Sequence, residues 1–162
     1  MPYAEPVAAF AHIEDEFLER VHGIERCTVA TVDSRGRPRS RIWHPIWEGK
    51  VGRIATNRYT LKTGHLANNP YLSLSYFDPQ DPWRPVYVDC RAEWDDTPEG
   101  KSRAWEMFVR APAPVGYDPA VIWNTPENPD FGVLMLYPWR IELVDAPGDS
   151  RVWRQQPHPA EY

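Results

Sequence analysis

The sequence has no block of like charge and no long apolar run. Its 162 residues carry 18 Lys and Arg against 23 Asp and Glu, a net charge of −5. This balance argues against a nucleic-acid-binding or membrane-surface protein. No apolar stretch approaches the roughly 20 residues that a membrane span needs, and the acidic, proline-containing N-terminus is unlike a signal peptide. We therefore expect a cytoplasmic protein with neither a membrane nor a nucleic-acid partner.

Cysteine is scarce and the familiar catalytic motifs are absent. Cys27 and Cys90 lie far apart without CxxC spacing, so we expect buried, reduced thiols rather than a disulfide. The chain has no GxGxxG, P-loop, GxSxG or HExxH sequence. Its histidines lack ligand spacing with cysteines or carboxylates, which predicts no metal site.

Proline and tryptophan, in contrast, are abundant. Eighteen prolines indicate many turns and edges, and eight tryptophans offer more aromatic surface than a small barrel core can bury. We expect some tryptophans to line a ligand site or a subunit contact.

The spacing of apolar residues changes along the chain from helical to alternating. Apolar residues that recur every three or four positions predict an N-terminal helix over 5–22. Two more helices are predicted, over 60–69 behind Thr60 and over 98–110 behind Thr97, and the proline-rich segment 111–130 is predicted to be an irregular loop. Strands are predicted over 27–33, 39–48, 53–56, 71–78, 86–96 and 131–145. Short turns between neighbouring strands, without βαβ alternation, predict one mainly β domain over 1–162, an antiparallel barrel with flanking helices.

A stretch of anion-binding side chains follows the third predicted strand. The segment "RIATNRYTLKTGHLANNP" contains Thr56, Arg58, Thr60 and Lys62, and Arg41 lies on the preceding strand. A hairpin turning near 49–52 would bring them together beside the N-terminus of the 60–69 helix. Cationic donors, hydroxyls and a helix N-terminus can form a phosphate site. The other interpretation is a solvated strand end whose cations aid solubility.

Residues 27–78 resemble the core of the pyridoxamine 5′-phosphate oxidase-like family, the FMN-binding split β-barrels. The resemblance lies in the order and spacing of "DSRGRP", "RSRIW", "AT", "TLKTGHL", "NNP" and "LSLSYF". "FGVLMLYPWRIELVD" resembles the closing strand of the family. The resemblance implies a six-stranded, mostly antiparallel split barrel with flanking helices. It also implies a homodimer that holds the cofactor at the subunit interface.

The resemblance also implies roles for individual residues. Arg41 and Lys62 would bind the FMN phosphate, with further donors from Thr60 and from Arg58 or Arg39. Thr56 and Asn57 would lie along the ribityl chain. The isoalloxazine ring would lie against Ile42, Trp43 and His44.

Several functions remain open at this point. The tail "RVWRQQPHPAEY" lacks the arginine and histidine pattern with which the true oxidases bind pyridoxal phosphate, so vitamin B6 oxidation is not expected. The first alternative to FMN is the deazaflavin F420, whose acidic tail would meet Arg35, Arg37 and Arg39. A non-catalytic flavin- or haem-binding protein is another.

The predicted site favours redox chemistry over hydrolysis. It offers donors, hydroxyls and aromatic surface, but no expected carboxylate–histidine pair and no activated nucleophile. A flavin enzyme needs no such groups, because the cofactor carries the electrons and the protein orients it. We therefore expect two-electron transfer on a small molecule that the sequence does not identify.

Overall fold

The structure is a computed structural model that describes residues 4–156, apart from the side chain of Ala146. Its strands are β1 (Glu5–Val7), β2 (Cys27–Val32), β3 (Pro38–Trp43), β4 (Pro45–Glu48), β5 (Val51–Asn57), β6 (Tyr71–Tyr76), β7 (Val86–Trp94), β8 (Phe131–Ala146) and β9 (Asp149–Arg154). Its helices are a 3-10 turn (Phe10–His12), α1 (Glu14–His22), α2 (Leu61–Asn68), α3 (Pro98–Arg110) and α4 (Ala120–Trp123).

The strands form a split barrel. The pairs β3–β2, β2–β6, β6–β7, β7–β8, β8–β5 and β5–β4 are all antiparallel, and only one residue separates β3 from β4 in sequence. The mainly β fold with flanking helices is thereby confirmed. Within the described residues the sheet has nine strands rather than six, because the predicted second strand is divided and because β1 and β9 extend the sheet past β8.

The predicted second strand, 39–48, is interrupted at His44. Pro45 has no N–H to donate, and β4 starts there as a separate strand paired with β5, from Pro45 opposite Ile54 to Glu48 opposite Val51. The predicted antiparallel hairpin is therefore confirmed next to its turn, where residues 45–48 pair with residues 51–54. β3 pairs with β2 in the described chain and with no residue of β5. The barrel is thus split between β3 and the far end of β5.

The N-terminal helix is shorter than predicted. α1 begins at Glu14, and Glu5–Val7 is instead a strand that pairs in parallel with β9. The unpredicted β9 provides the edge to which this segment pairs, a contact that helical spacing in the local sequence does not reveal. Phe10 packs edge-on against Trp153, with 5.6 Å between ring centroids. Phe17 and Val21 are fully buried, so the predicted apolar face is confirmed over α1.

The β2–β3 hairpin is fixed by one carboxylate at its turn. Asp33 accepts hydrogen bonds from the backbone N–H groups of Arg35 and Arg37 and from the guanidinium of Arg37, all at 2.9–3.0 Å. Gly36 has a φ of 75°, a conformation that glycine adopts without strain. The hydrogen bonds lower the pKa of Asp33 to about 2. This turn sets the register that places Arg39 and Arg41 on β3.

The helix after β7 follows the prediction, and the loop after it is more ordered than predicted. Thr97 accepts a hydrogen bond from Gly100 N at 3.0 Å and caps α3, with Pro98 in the first turn. The segment 111–130 contains the short helix α4. Its Trp123 is buried, so the segment packs against the barrel.

Among residues 4–156, the helices are too short or too polar to cross a membrane. The C-terminal tail, residues 151–162, extends into residues 157–162, which lie outside the described residues.

Candidate functional site

Two cations, Arg41 and Lys62, and the imidazole of His65 come together where β3 faces α2. Arg41 projects from β3, and Lys62 lies in the first turn of α2 with His65 one turn later. The Nδ1 atom of His65 lies 3.5 Å from Arg41 Nη2 and 3.3 Å from Thr31 Oγ1. Arg39 is exposed two residues before Arg41. We call Arg39, Arg41 and Lys62 the cation cluster.

No carboxylate balances this cluster in the described part of the chain. Arg41 and Lys62 make no ion pair there, and neither does Arg39. Burial lowers the pKa of Lys62, and the neighbouring Arg41 lowers it further. Burial lowers the pKa of Arg41, and the charge of Arg39 lowers it further. Like charges held half-buried without a counter-charge repel one another, and a bound anion would remove that penalty.

The N-terminus of α2 adds to the positive field. Thr60 is its N-cap residue, and the Thr63 hydroxyl accepts from the Thr60 N–H at 3.4 Å and donates to the Arg58 carbonyl. The first N–H groups of an α-helix lack intrahelical partners and favour an anion. The N-terminus of α2 and the cation cluster therefore lie together. Thr60 is the N-cap residue of this helix, as predicted.

Arg58 has a partner that was not expected. Its guanidinium binds Asp96 through two hydrogen bonds, of 2.7 and 2.9 Å, and lies over the Trp94 ring at 4.4 Å. The side-chain hydrogen bonds from Arg58 lower the pKa of Asp96. Asp96 occupies Nε and Nη2 of the guanidinium, so of its nitrogens only Nη1 makes no hydrogen bond to Asp96. In the structure Arg58 links the end of β5 to the segment before α3, and its predicted contact with a phosphate stays a prediction.

A groove of about 540 Å³ lies in the split of the barrel. One wall is formed by Ile42, Trp43 and His44 at the end of β3, and the opposite wall by Thr56 and Asn57 at the end of β5. All five were predicted as cofactor contacts, and the structure brings them together. The volume lies within the range of small-molecule and cofactor sites.

The segment 111–130 closes one side of the groove. Tyr117, Ile122 and Trp123 line it, and Trp123 Nε1 donates a hydrogen bond to Asn57 Oδ1 at 2.9 Å. Burial raises the pKa of Tyr117 to about 12, so its phenol stays protonated. These three residues were not assigned from the sequence, because nothing local indicates that this loop folds back onto β5.

The groove also contains a carboxylate–histidine pair, contrary to expectation. Glu25 and Arg26 line it next to His44, and Glu25 Oε1 lies 3.9 Å from His44 Nδ1. The two residues are 19 positions apart in sequence, and the β2–β3 hairpin brings them together. His65 was missed as well, although its spacing of three residues from Lys62 places both on one face of α2.

The family model of pyridoxamine 5′-phosphate oxidase matches residues 13–144. The chain belongs to this family. No curated protein matches it significantly. One similar solved structure is a protein related to general stress protein 26 of Bacillus subtilis, from Clostridium acetobutylicum, described as of the pyridoxinephosphate oxidase family. It is 16% identical over 88% of this chain and 94% of that one, with a TM-score of 0.71.

Two other similar solved structures are described as different kinds of protein. An F420 reductase is 23% identical over 78% of this chain and 94% of that one, with a TM-score of 0.59. A heme binding protein from Mycobacterium smegmatis is 20% identical over 83% of this chain and 55% of that one, with a TM-score of 0.64. At these identities the likeness establishes the split-barrel fold, and function has to be argued from the site.

Proposed function

We propose that the protein is an FMN-dependent oxidoreductase that acts on a small molecule. The observation that carries the proposal is the cation cluster, which lacks a carboxylate partner in the described chain and adjoins the 540 Å³ groove. Arg41 and Lys62 would hold the FMN phosphate, with Arg39, Thr60 and the start of α2 beside them. A phosphate supplies the negative charge that this half-buried cluster lacks.

The groove suits the remainder of FMN. Thr56 and Asn57 offer polar groups to the ribityl chain, and Ile42, Trp43 and His44 offer flat or apolar surface to the ring. A bound flavin supplies two-electron chemistry, and the protein positions it and excludes water. The site residues present therefore fit the cofactor that the family resemblance implied.

F420 is the second candidate. Arg35 and Arg39 are exposed on the β2–β3 hairpin and make no ion pair with any described residue, whereas Arg37 is held by Asp33. Arg35, together with Arg39 of the cation cluster, would suit the acidic tail of a deazaflavin. The fold also includes a protein described as an F420 reductase.

We also propose that the working unit is a homodimer with the cofactor at the subunit interface. Leu61 is 84% exposed, Tyr59 71% and Ile42 60%. Ile42 lines the groove, and Tyr59 and Leu61 lie beside Thr60 and Lys62 at the start of α2. Large apolar side chains grouped beside a ligand site are typical of a protein contact surface. A second copy covering them would also shield the cofactor.

The visible spectrum of the purified protein tests the cofactor assignment. FMN, F420 and haemin are each titrated into cofactor-stripped protein and followed by absorbance. Saturable binding of FMN alone supports the first proposal, and preference for F420 supports the second. A Soret band with haemin and no flavin binding would overturn both. Anaerobic addition of NADH or NADPH then tests turnover, and a bound flavin that no reductant bleaches would make the protein a carrier.

A further inference from the structure

A second cavity lies where the end of α1, β4 and the end of α3 meet. It has a volume of about 300 Å³, at the lower end of the range of small-molecule sites. It shares no lining residue with the groove in the split of the barrel. The residues that line it include His22, Ile46, Trp47, Met107, Arg110 and Val115.

A small core cluster separates this cavity from the groove. Ile46, Phe108 and Val115 pack together, and Ile46 and Val115 also line the cavity. His44, which lines the groove, contacts the Phe108 ring edge-on, with 5.9 Å between ring centroids. Because a layer of side chains lies between the two spaces, a ligand in the cavity and a ligand in the groove can be bound at the same time.

We propose that the cavity is a second ligand site and that it takes a small aromatic carboxylate. The inference goes beyond the proposed function and does not rest on it, because the lining of the cavity includes no residue of the cation cluster or of the groove. Its support comes from the apolar inner wall of the cavity and from the charge of its lining.

The inner wall is apolar and is fixed by the core. Ile46 and Trp47 are buried. Trp47 Nε1 donates a 2.8 Å hydrogen bond to the buried Tyr76 hydroxyl, and the Phe17 ring packs edge-on against the indole. Since its N–H is used in the core, Trp47 offers only ring carbons to the cavity, and Met107 adds a thioether. Ring and thioether surfaces favour a flat aromatic body.

The lining carries a positive charge. Among the described residues that line the cavity, Arg110 alone is charged at neutral pH, because burial lowers the pKa of His22 and keeps its imidazole neutral. Arg110 Nη2 lies 3.4 Å from Glu106 Oε2, one turn earlier on α3, and both side chains are largely exposed. An ion pair as exposed as this contributes little to stability. A ligand carboxylate can therefore take the place of Glu106.

His22 provides a second polar group. Its Nε2 accepts a hydrogen bond from the Trp47 backbone N–H at 3.3 Å, so the neutral ring carries its proton on Nδ1. No described residue accepts that proton, and Nδ1 is accessible rather than buried. The lining thus offers a guanidinium and a free N–H, two donors that suit a carboxylate.

Binding of 2-naphthoate to the full chain tests the proposal. The protein is labelled with carbon-13 at its methionine methyl groups, and NMR spectra are recorded with and without FMN. We expect the Met107 signal, assigned from Met107→Leu, to shift saturably, and the Met135 signal, from a different core cluster, to move less. 2-Naphthylmethanol, which has the same ring without the charge, should bind at least about threefold more weakly. An unmoved Met107 signal, equal affinity for the alcohol, or naphthoate binding that FMN abolishes would overturn the proposal.

Variants in and just after α3 locate the bound naphthoate. Ala111→Phe fills the cavity and should abolish the Met107 shift, whereas Val109→Phe, at an exposed position outside the lining, should preserve it. Arg110→Gln should weaken naphthoate binding by at least about threefold and leave naphthylmethanol binding unchanged. Arg103→Gln removes the same charge from another exposed, glutamate-paired position on α3 and should change neither affinity. Wild-type naphthoate affinity in Ala111→Phe or in Arg110→Gln would contradict the assignment.

Discussion

The guanidinium of Arg41 on β3 lies 3.5 Å, Nη2 to Nδ1, from the imidazole of His65 on α2. This contact joins a strand of the split barrel to the helix that carries Lys62. The cation cluster therefore depends on tertiary packing as well as on the local sequence. Its charges are the main physical reason to expect a phosphate-bearing cofactor.

Arg41→Ala or Lys62→Ala should weaken FMN binding by about tenfold or more, because a hydrogen bond to a charged group contributes about 1.5–3 kcal/mol. Arg154→Ala removes the same charge from the exposed end of β9 and should leave the dissociation constant unchanged. Calorimetric titration measures all three variants, and raised salt should weaken wild-type binding. If both Arg41→Ala and Lys62→Ala bound FMN with wild-type affinity, the assignment of a phosphate site would be wrong.

Leu61→Arg should shift the proposed dimer toward monomer, because it places a charge in the exposed apolar surface beside the cation cluster. Val109→Arg, at a 53% exposed position on α3, is the matched control and should leave the assembly intact. Sedimentation velocity with and without FMN measures both. A wild-type protein that is monomeric at micromolar concentration with FMN bound would rule out the interface proposal.

Asp33→Asn should lower the free energy of unfolding at neutral pH. It should also make that free energy change less as the pH falls. The folded pKa of Asp33, about 2, lies below its ordinary value, so its stabilising effect is present above about pH 4. That stabilisation is lost as the pH falls from about 4 toward 2. Urea denaturation at pH 7, 4 and 3 measures the difference between variant and wild type. A constant difference across this range would mean that the carboxylate of Asp33 is not the titrating group.

Arg20→Leu should lower the free energy of unfolding by about 1–3 kcal/mol, because the hydrogen bonds of a nearly buried guanidinium are lost, while Arg151 still pairs with both carboxylates. Arg20 is 8% exposed and joins α1 to the end of β8 through Glu16, Asp145 and the Val144 carbonyl, the last at 2.7 Å. Burial alone would raise the pKa of Glu16, but hydrogen bonds from Arg151 and Arg20 outweigh it and lower the pKa. Arg26→Leu, at an exposed position, is the control for thermal and urea unfolding.

The six barrel strands and α3 could be predicted because alternation, turn residues and an N-cap are local signals. The start of α1 could not, because Glu5–Val7 is a strand only through its pairing with β9. The site residues likewise divide into those that a local pattern indicates and those that only the tertiary structure reveals. Arg41 and Lys62 could be proposed from a linear pattern, whereas Glu25 and Trp123 reach the groove only through the hairpin and the folded-back 111–130 segment. The ion pair of Arg58 could not be predicted, because its partner Asp96 lies 38 residues away.

A direct comparison of FMN with riboflavin tests the central claim, because the two ligands differ only in the phosphate. Cofactor-stripped wild-type protein is titrated with each flavin under the same low-salt conditions, followed by flavin and tryptophan fluorescence. Two charged contacts of about 1.5 kcal/mol each predict that FMN binds at least about 100-fold more tightly than riboflavin. This preference should shrink in Arg41→Ala and persist in Arg154→Ala. Equal affinities of the wild-type protein for FMN and riboflavin would contradict the claim that the cation cluster is a phosphate site.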